Sequence, residues 1–528
     1  MSRTHLQEEL AHSKSVVTAE TQYGPVQGRR AANGAAVFLE VPYALPPKRF
    51  TDPEPLPSDF RYEAKEYILE SKYAAQPTND GQAAGLPYED KVGLGKPSED
   101  PLFVNVVVPP SFPAQNGFPV KVYIHGGFLQ FGSPHGLGSQ AQYISAERSE
   151  VWVNVGYRLS AFGFLASDEP KIDGNFGFKD QWLALLWIRD NIKAFGGDPD
   201  NIQVTGLSAG AHSVHQLLHH ASRLPDGVRA PFNSAILQSN AIVTTPKTPA
   251  ELRPQFIAFC RALSLDPSSP TILEDIRNPD KVPTSAITYA IETDALGIEY
   301  GTFRGAWEPS WLGSSDPMEW QRTGGLARGL AAHGVRSVVI GDLTEEWYLY
   351  SIAHPITTMG DVERNLLRYY REDVVTKMLR AYLGEGKVPP GEMTQEELEK
   401  LFGEVLSEGQ VHLPVRLFAR DMVEAGFPVV RYEIRWTPEQ VRPLGYVTHA
   451  TDRVLWAFRL PSLQDDQPSV ARAWLSTVAD YVKRAEAGQG LPLKTVLALT
   501  ESKEIREVVD EKWDEYMRMR TTLPGEVA

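Results

Sequence analysis

A chain of 528 residues, 42% hydrophobic and 23% charged, has the composition of an ordinary globular protein with a large core, not of a disordered or fibrous one. A formal net charge of −15 repels polyanions and argues against nucleic acid or an anionic membrane surface as partner. The single cysteine, Cys260, excludes an intramolecular disulfide and points to a reducing, cytoplasmic location. It lies in the apolar run Phe256-Ile257-Ala258-Phe259-Cys260 and reads as a small buried hydrophobe, not a nucleophile.

Met1 to Ser15 carries Glu8 and Glu9 and no signal-like apolar core, so residues 1–15 read as a disordered or loosely held tail. No run of 18 apolar residues suggests a membrane span. Val16-Val17-Thr18, the turn Tyr23-Gly24-Pro25 and Val26 make a hairpin; Asn33-Gly34 begins a second one ahead of Val37-Phe38-Leu39. Such hairpins predict an antiparallel edge. Strands are expected over 102–108, 120–124 and 151–155, and the second runs straight into His125-Gly126-Gly127-Phe128. Leu185, Ile188, Ile192 and Phe195 share one helical face over 180–195, and Gly196-Gly197-Asp198-Pro199 stops that helix.

A strand over 201–205 then bends into a helix over 209–221, and further strands follow over 234–238, 335–340 and 427–436. Helices are expected over 468–487 and 500–518. Strands alternating with helices predict an α/β fold, a mostly parallel sheet covered on both faces. Two stretches, about 241–330 and 360–425, break the rhythm and read as insertions, the first over the carboxyl edge of the sheet. A single catalytic domain over 16–528 is the expected organisation.

The bend itself carries the chemistry. Gly206-Leu207-Ser208-Ala209-Gly210 reads G-x-S-x-G between strand and helix. Glycines two positions either side let strand and helix close up, and Ser208 is held at the tip with the positive end of the helix beneath it. The amide of Ala209 faces any oxyanion formed there. A serine hydroxyl needs a general base, and the base needs an orienting carboxylate. Of 12 histidines, His212, His215, His219 and His220 lie on the helix leading away from Ser208 and read as surface or packing residues. His449 lies in a loop beyond a late strand, where ligands and catalytic side chains collect. For the carboxylate, position alone leaves Asp342, Glu345 and Glu346 open. The glycines of His125-Gly126-Gly127-Phe128 allow amides to approach a developing alkoxide.

These motifs together resemble the type B carboxylesterase/lipase family, an α/β-hydrolase family. The resemblance extends to Val41-Pro42-Tyr43-Ala44-Leu45-Pro46-Pro47, to Ser98-Glu99-Asp100-Pro101-Leu102, to Gly156-Tyr157-Arg158-Leu159 and to Gly174-Asn175-Phe176-Gly177. It implies the acid: the family's spacing maps from Gly341 onto Glu346, so the triad would be Ser208, Glu346 and His449. The oxyanion hole would be built from Gly126, Gly127, the amide of Phe128 and Ala209. Ser239 matches a serine that hydrogen-bonds near acid and base, and Arg49 with Glu99 and Arg158 with Asp180 match structural ion pairs.

Four positions depart from the family pattern. Pro101 replaces a cysteine. Leu207 replaces the glutamate before the nucleophile, which makes a cationic substrate unfavourable. Phe128 replaces a third glycine and is expected to narrow the acyl or alcohol side. Gly156 replaces an asparagine.

The implied function is serine-dependent hydrolysis of a small, neutral, apolar carboxylic ester, with no cofactor and no metal. A dedicated biosynthetic hydrolase, a lactone-forming enzyme or an acyltransferase would share the triad. A non-catalytic binding relative would lack the need to keep it.

Overall fold

The computed structural model describes residues 3–78, 87–384 and 393–526. Alternation along the strands splits the core into two layers. In one strand Val120, Val122 and Ile124 join one buried cluster while Tyr123 joins the other; Val338 and Ile340 separate from Val339 in the same way. A sheet with both faces buried in this manner must be covered on both sides.

The main sheet has twelve strands among the described residues. They are β1 (Val16–Thr21), β2 (Gly24–Arg30), β3 (Ala36–Pro42), β4 (Phe103–Val108), β5 (Phe118–Ile124), β6 (Val151–Val155), β7 (Gly197–Leu207), β8 (Ser234–Gln238), β9 (Ser337–Leu343), β10 (Val429–Ile434), β11 (Thr495–Leu499) and β12 (Ile505–Val509). Their order is β1-β2-β3-β4-β6-β5-β7-β8-β9-β10-β11-β12. The run from β6 to β11 is parallel, and antiparallel strands extend it at both edges. One row of paired residues crosses the centre: Val155, Ile124, Gly206, Leu237, Ile340 and Arg431. The loops beyond that row therefore emerge side by side at one end of the sheet. They carry His125–Phe128, Ser208, Ser239, Glu346 and His449.

The N-terminal segment differs from the loosely held tail expected for 1–15. Leu6–Ala11 is a helix that buries Leu6 and Leu10, one turn apart, and the buried His5 ring pairs with Glu70 at 2.9 Å. Residues 1 and 2 lie outside the described residues. The helix expected over 500–518 is also replaced. Ile505–Val509 is the edge strand β12, antiparallel to β11, and only Trp513–Met517 is α-helical. Its charged residues suit helix propensity, but they also suit an edge strand, where charge discourages further pairing.

The first insertion contributes Pro249–Ala262 and shorter helices; the second contributes Met359–Leu367, Glu372–Leu383, Gln395–Ser407 and Leu413–Glu424. Residues 385–392 of the second insertion lie outside the described residues. Among the described residues, no helix is long and apolar enough to cross a membrane.

Candidate active site

At the end of β7 the chain turns into the helix Ala209–Ala221 with Ser208 at φ 59°, ψ −127°, a backbone conformation that L-residues rarely adopt. The reason for the flanking glycines is steric. A Cβ on Gly206 would lie 2.2 Å from the backbone of Gly210, and a Cβ on Gly210 would lie 2.1 Å from the carbonyl oxygen of Ile124. The amide of Ser208 donates to the Gln238 carbonyl at 2.8 Å, which ties the bend to the next strand.

His449 is buried in the loop after β10, and its Nδ1 lies 2.6 Å from Oε2 of Glu346. Glu346 is fully buried, and its other oxygen accepts the Leu343 amide at 3.0 Å. With Nδ1–H directed at a carboxylate, the neutral ring carries its lone pair on Nε2. That nitrogen is buried and has no hydrogen-bond partner among the described residues, so no hydrogen bond joins it to Ser208 Oγ. Ser208 and His449 nevertheless line one cleft, together with Gly126, Gly127, Phe128 and Leu207.

The neighbouring carboxylates, left open by position, part company here. Oε2 of Glu345 accepts the Val447 amide at 2.7 Å and so pins the strand end to the His449 loop. Asp342 is buried and binds His412 and Arg416, both at 2.8 Å. Asp342 therefore does not point to solvent as a loop charge would, while Glu345 is half-buried.

The loop after β5 approaches Ser208 closely. A Cβ on Gly126 would lie 2.7 Å from the Leu207 carbonyl oxygen and 2.9 Å from Ser208 Cβ. Gly127, Phe128 and Leu129 all have positive φ. The amides of Gly127, Phe128 and Ala209 make no hydrogen bond among the described residues. Three supports hold the loop. Tyr157 donates its hydroxyl proton to the His125 carbonyl at 2.8 Å, and Gln130 Nε2 donates to the carbonyls of Phe128 (2.8 Å) and Phe303 (2.6 Å). Burial pushes the His125 imidazole down to about 4, which keeps it neutral against the Gly126 carbonyl.

The Phe128 ring packs near Tyr350, Tyr369 and Phe131, at 5.9, 6.0 and 6.2 Å between centroids. The narrowing expected of this side chain is thus a wall shared with three other aromatics. Tyr350 stands edge-to-face to His449 at 5.2 Å. Leu207 is buried in the apolar cluster beneath the cleft.

Ser239 is fully buried at φ 52°, and its amide donates to the Gly341 carbonyl at 2.9 Å. Its hydroxyl makes no hydrogen bond among the described residues, so the contact to acid or base expected from the resemblance is not formed. Of the helix histidines, His215 packs with its ring bonded to Gln321 and to the Ile242 amide, and His220 stacks on Trp311 at 3.9 Å.

Both structural ion pairs are present, Arg49–Glu99 at 2.6 Å and Arg158–Asp180 at 2.6 and 2.8 Å. Two departures from the family pattern prove to be neighbours. A Cβ on Gly156 would lie 2.4 Å from the Pro101 carbonyl oxygen, so a larger residue at 156 has no room here.

Sequence reasoning missed Gln130, Tyr350 and Asp452. Asp452 is fully buried three residues beyond His449; burial, and then the charge of Glu346, push its carboxyl up to about 6. Its place on the same loop was the one available signal. Nothing local marks Tyr350, whose ring partners Phe128 and His449 lie far away in the chain, and Gln130 is marked only by the carbonyl of Phe128 two residues back, its other partner being Phe303.

The description of the Carboxylesterase family matches residues 13–304. A para-nitrobenzyl esterase of Bacillus subtilis is 30% identical over 481 residues, 88% of this chain and 86% of its own length. A carboxylic ester hydrolase of Gibberella moniliformis is 31% identical over 487 residues, 86% of this chain and 85% of its own. An esterase/lipase of Schizosaccharomyces pombe is 30% identical over 454 residues, 81% of each chain. Among solved structures, a thermophilic PNB esterase superposes with a TM-score of 0.73 at 24% identity, covering 95% of this chain and 99% of its own, which shows the α/β-hydrolase fold. The family model covers more than half of the chain, and the chain belongs to the carboxylesterase family and is a carboxylic ester hydrolase.

Proposed function

We propose that Ser208 is the nucleophile of ester hydrolysis, His449 its general base and Glu346 the group that orients the base. One observation carries this reading: His449 Nδ1 is held by Glu346 while Nε2, buried and unpartnered, borders the cleft that contains Ser208. Nε2 takes the hydroxyl proton as Ser208 Oγ adds to the ester carbonyl carbon. A hydrogen bond of this kind often tightens only once substrate fills the site. The carbonyl oxygen, now an alkoxide, receives the free amides of Gly127, Phe128 and Ala209, with Gly126 supplying the clearance. His449 then returns the proton to the departing alcohol oxygen. Water, deprotonated by the same ring, adds to the acyl-enzyme, and Ser208 leaves as the hydroxyl. Glu346 stabilises the imidazolium in both halves.

Aromatic walls at Phe128 and Tyr350, and Leu207 where an acid would sit, favour an uncharged, apolar group beside the scissile bond. The lone, buried Cys260 supports a reducing, cytoplasmic setting.

A fluorophosphonate probe tests the assignment. It should label wild-type protein on Ser208, and the label should be absent from Ser208→Ala. Labelling of another serine, or none in folded protein that turns over para-nitrophenyl esters, would refute it.

A further inference from the structure

Besides the Ser208 cleft there is a second, smaller cavity of about 90 Å³. His212 forms part of its wall, one helical turn (roughly 5.4 Å) along from Ser208. A third cavity borders both. It shares Phe128 and Phe131 with the cleft, and Thr302, Arg368 and Tyr369 with the far cavity.

The far cavity is cationic in a chain whose net charge is −15. Lys247, Arg304, Arg368 and Arg371 line it against two carboxylates, Glu251 and Glu299, a surplus of two positive charges. Two of the cations are neutralised. Glu251 holds Arg371 at 2.7 Å, and Asp294 holds Arg368 at 2.7 Å. Lys247 and Arg304 form no ion pair among the described residues. Arg304 reaches only the side-chain oxygen of Gln410, at 3.3 Å, and the face of Tyr369, at 5.3 Å. Burial draws the Lys247 ammonium below its ordinary range; Arg371 and Arg304 add to the pull, and Glu251 alone opposes it.

A half-buried cation without a counter-ion is costly unless something supplies one. A guanidinium and an ammonium around one cavity match a carboxylate, which accepts several charge-assisted hydrogen bonds at once.

We propose that the far cavity receives a carboxylate carried by the substrate, so that the preferred esters bear an acid group several bonds from the scissile carbonyl. Phe128 and Tyr369 would flank the intervening methylenes, in a wall that also carries Arg368, Glu292, Asp294 and Glu399, so the acid group has to reach past those carboxylates to Lys247 and Arg304. This inference rests on Ser208 being the nucleophile, and it replaces the wholly neutral ester expected from sequence.

The test compares matched esters on the purified full chain. On the acyl side, para-nitrophenyl monoesters of adipic and pimelic acid are set against para-nitrophenyl hexanoate and heptanoate. On the alcohol side, para-butyryloxybenzoate is set against phenyl butyrate. In at least one pair, kcat/KM should favour the carboxylate ester by about tenfold or more, the worth of a charge-assisted contact. That ratio should collapse towards one in Arg304→Met with Lys247→Met, survive in part in Arg304→Lys, and shrink with added salt.

Wild-type ratios at or below one in both pairs, with neutral esters hydrolysed and Ser208 labelled, would overturn the inference and leave the nucleophile intact. This outcome needs no variant to fold. A ratio that persists in the double variant would overturn the assignment to these cations. Absence of both turnover and labelling would instead remove the reading of Ser208 on which the inference stands.

Discussion

Two buried histidine–carboxylate pairs lie at the same end of the sheet, and they do different work. His449 meets Glu346 at 2.6 Å and His412 meets Asp342 at 2.8 Å, each through Nδ1. Around Asp342 the charge is saturated. Arg416 binds Asp342 and Asp510, Arg431 binds Asp510 at 2.7 Å, and the His412 ring stacks on Tyr516 at 4.2 Å. Burial pushes the Asp342 carboxyl up, yet the charge of Arg416, the hydrogen bond and charge of His412, and Arg431 together hold it well below the usual carboxylate range. Around Glu346 no arginine intervenes. The remaining partners are the Leu343 amide and the His449 ring, and Nε2 is left over at a cleft. A histidine beside a carboxylate is thus not by itself a catalytic pair. The guanidinium network ties one pair into the fold; the other, with no guanidinium against it, is the pair we propose as base and orienting acid.

Four predictions sharpen or break that contrast. The largest effect belongs to the open pair: His449→Ala should lower kcat by about 10⁶-fold, the scale seen when a triad base is removed, whereas the equivalent change at His412 should leave kcat per labelled Ser208 within about tenfold. Comparable losses at both histidines would break the contrast. Glu346→Gln comes next. It keeps the shape of the site but removes the charge that stabilises the imidazolium, and should lower kcat by about 10⁴-fold. Glu345→Gln, which touches only the Val447 amide, should cost less than about tenfold; the reverse order, measured on one ester, would move the acid to residue 345.

The third prediction exchanges activity for stability. Asp342→Asn leaves Arg416 with one carboxylate fewer, and should lower the unfolding free energy by about 3 kcal/mol with little change in kcat. Urea titration with turnover per labelled site separates the two; a large loss of kcat at unchanged stability would place Asp342 in the chemistry.

The smallest effect is the pH dependence of that gap. The folded carboxyl is held below its ordinary value, so as pH falls the unfolded chain takes the proton first. The contribution is whole above about pH 4 and is lost as pH falls through the folded value. The stability difference between wild type and Asp342→Asn should therefore be constant from about pH 7 to 5 and narrow below about 4. A gap that widens on acidification would contradict the sign.

Much of the site was legible because its determinants are local. Gly206 marks a strand–helix bend whose need for a small residue is a contact four positions away, with Gly210; Gly210 fits the same local motif, although what crowds it is the Ile124 carbonyl of a neighbouring strand. His449 was legible by exclusion, because only a late loop at the carboxyl end of the sheet lies where a base is useful. The choice among Asp342, Glu345 and Glu346 was not, since all three follow one strand and their partners come from elsewhere in the chain. Arg416, Val447 and His449 contact Asp342, Glu345 and Glu346 respectively, and none is a neighbour of residue 342 in sequence. The edge strand Ile505–Val509 escaped for a related reason: its charges fit two conformations, and only pairing with Thr495–Leu499 selects one.

Residue order alone determined most of the elements, the parallel sheet and the bend at Ser208, because periodicity and glycine sterics act over short range; the helix Leu6–Ala11 and the edge strand Ile505–Val509 were exceptions. Only the tertiary structure decided that His449 is held at one nitrogen and free at the other beside the cleft, which carboxylate is neutralised, and that Lys247 and Arg304 face one cavity with no ion pair of their own among the described residues. Those are statements about burial and long-range charge, and neither exists until distant segments have packed together.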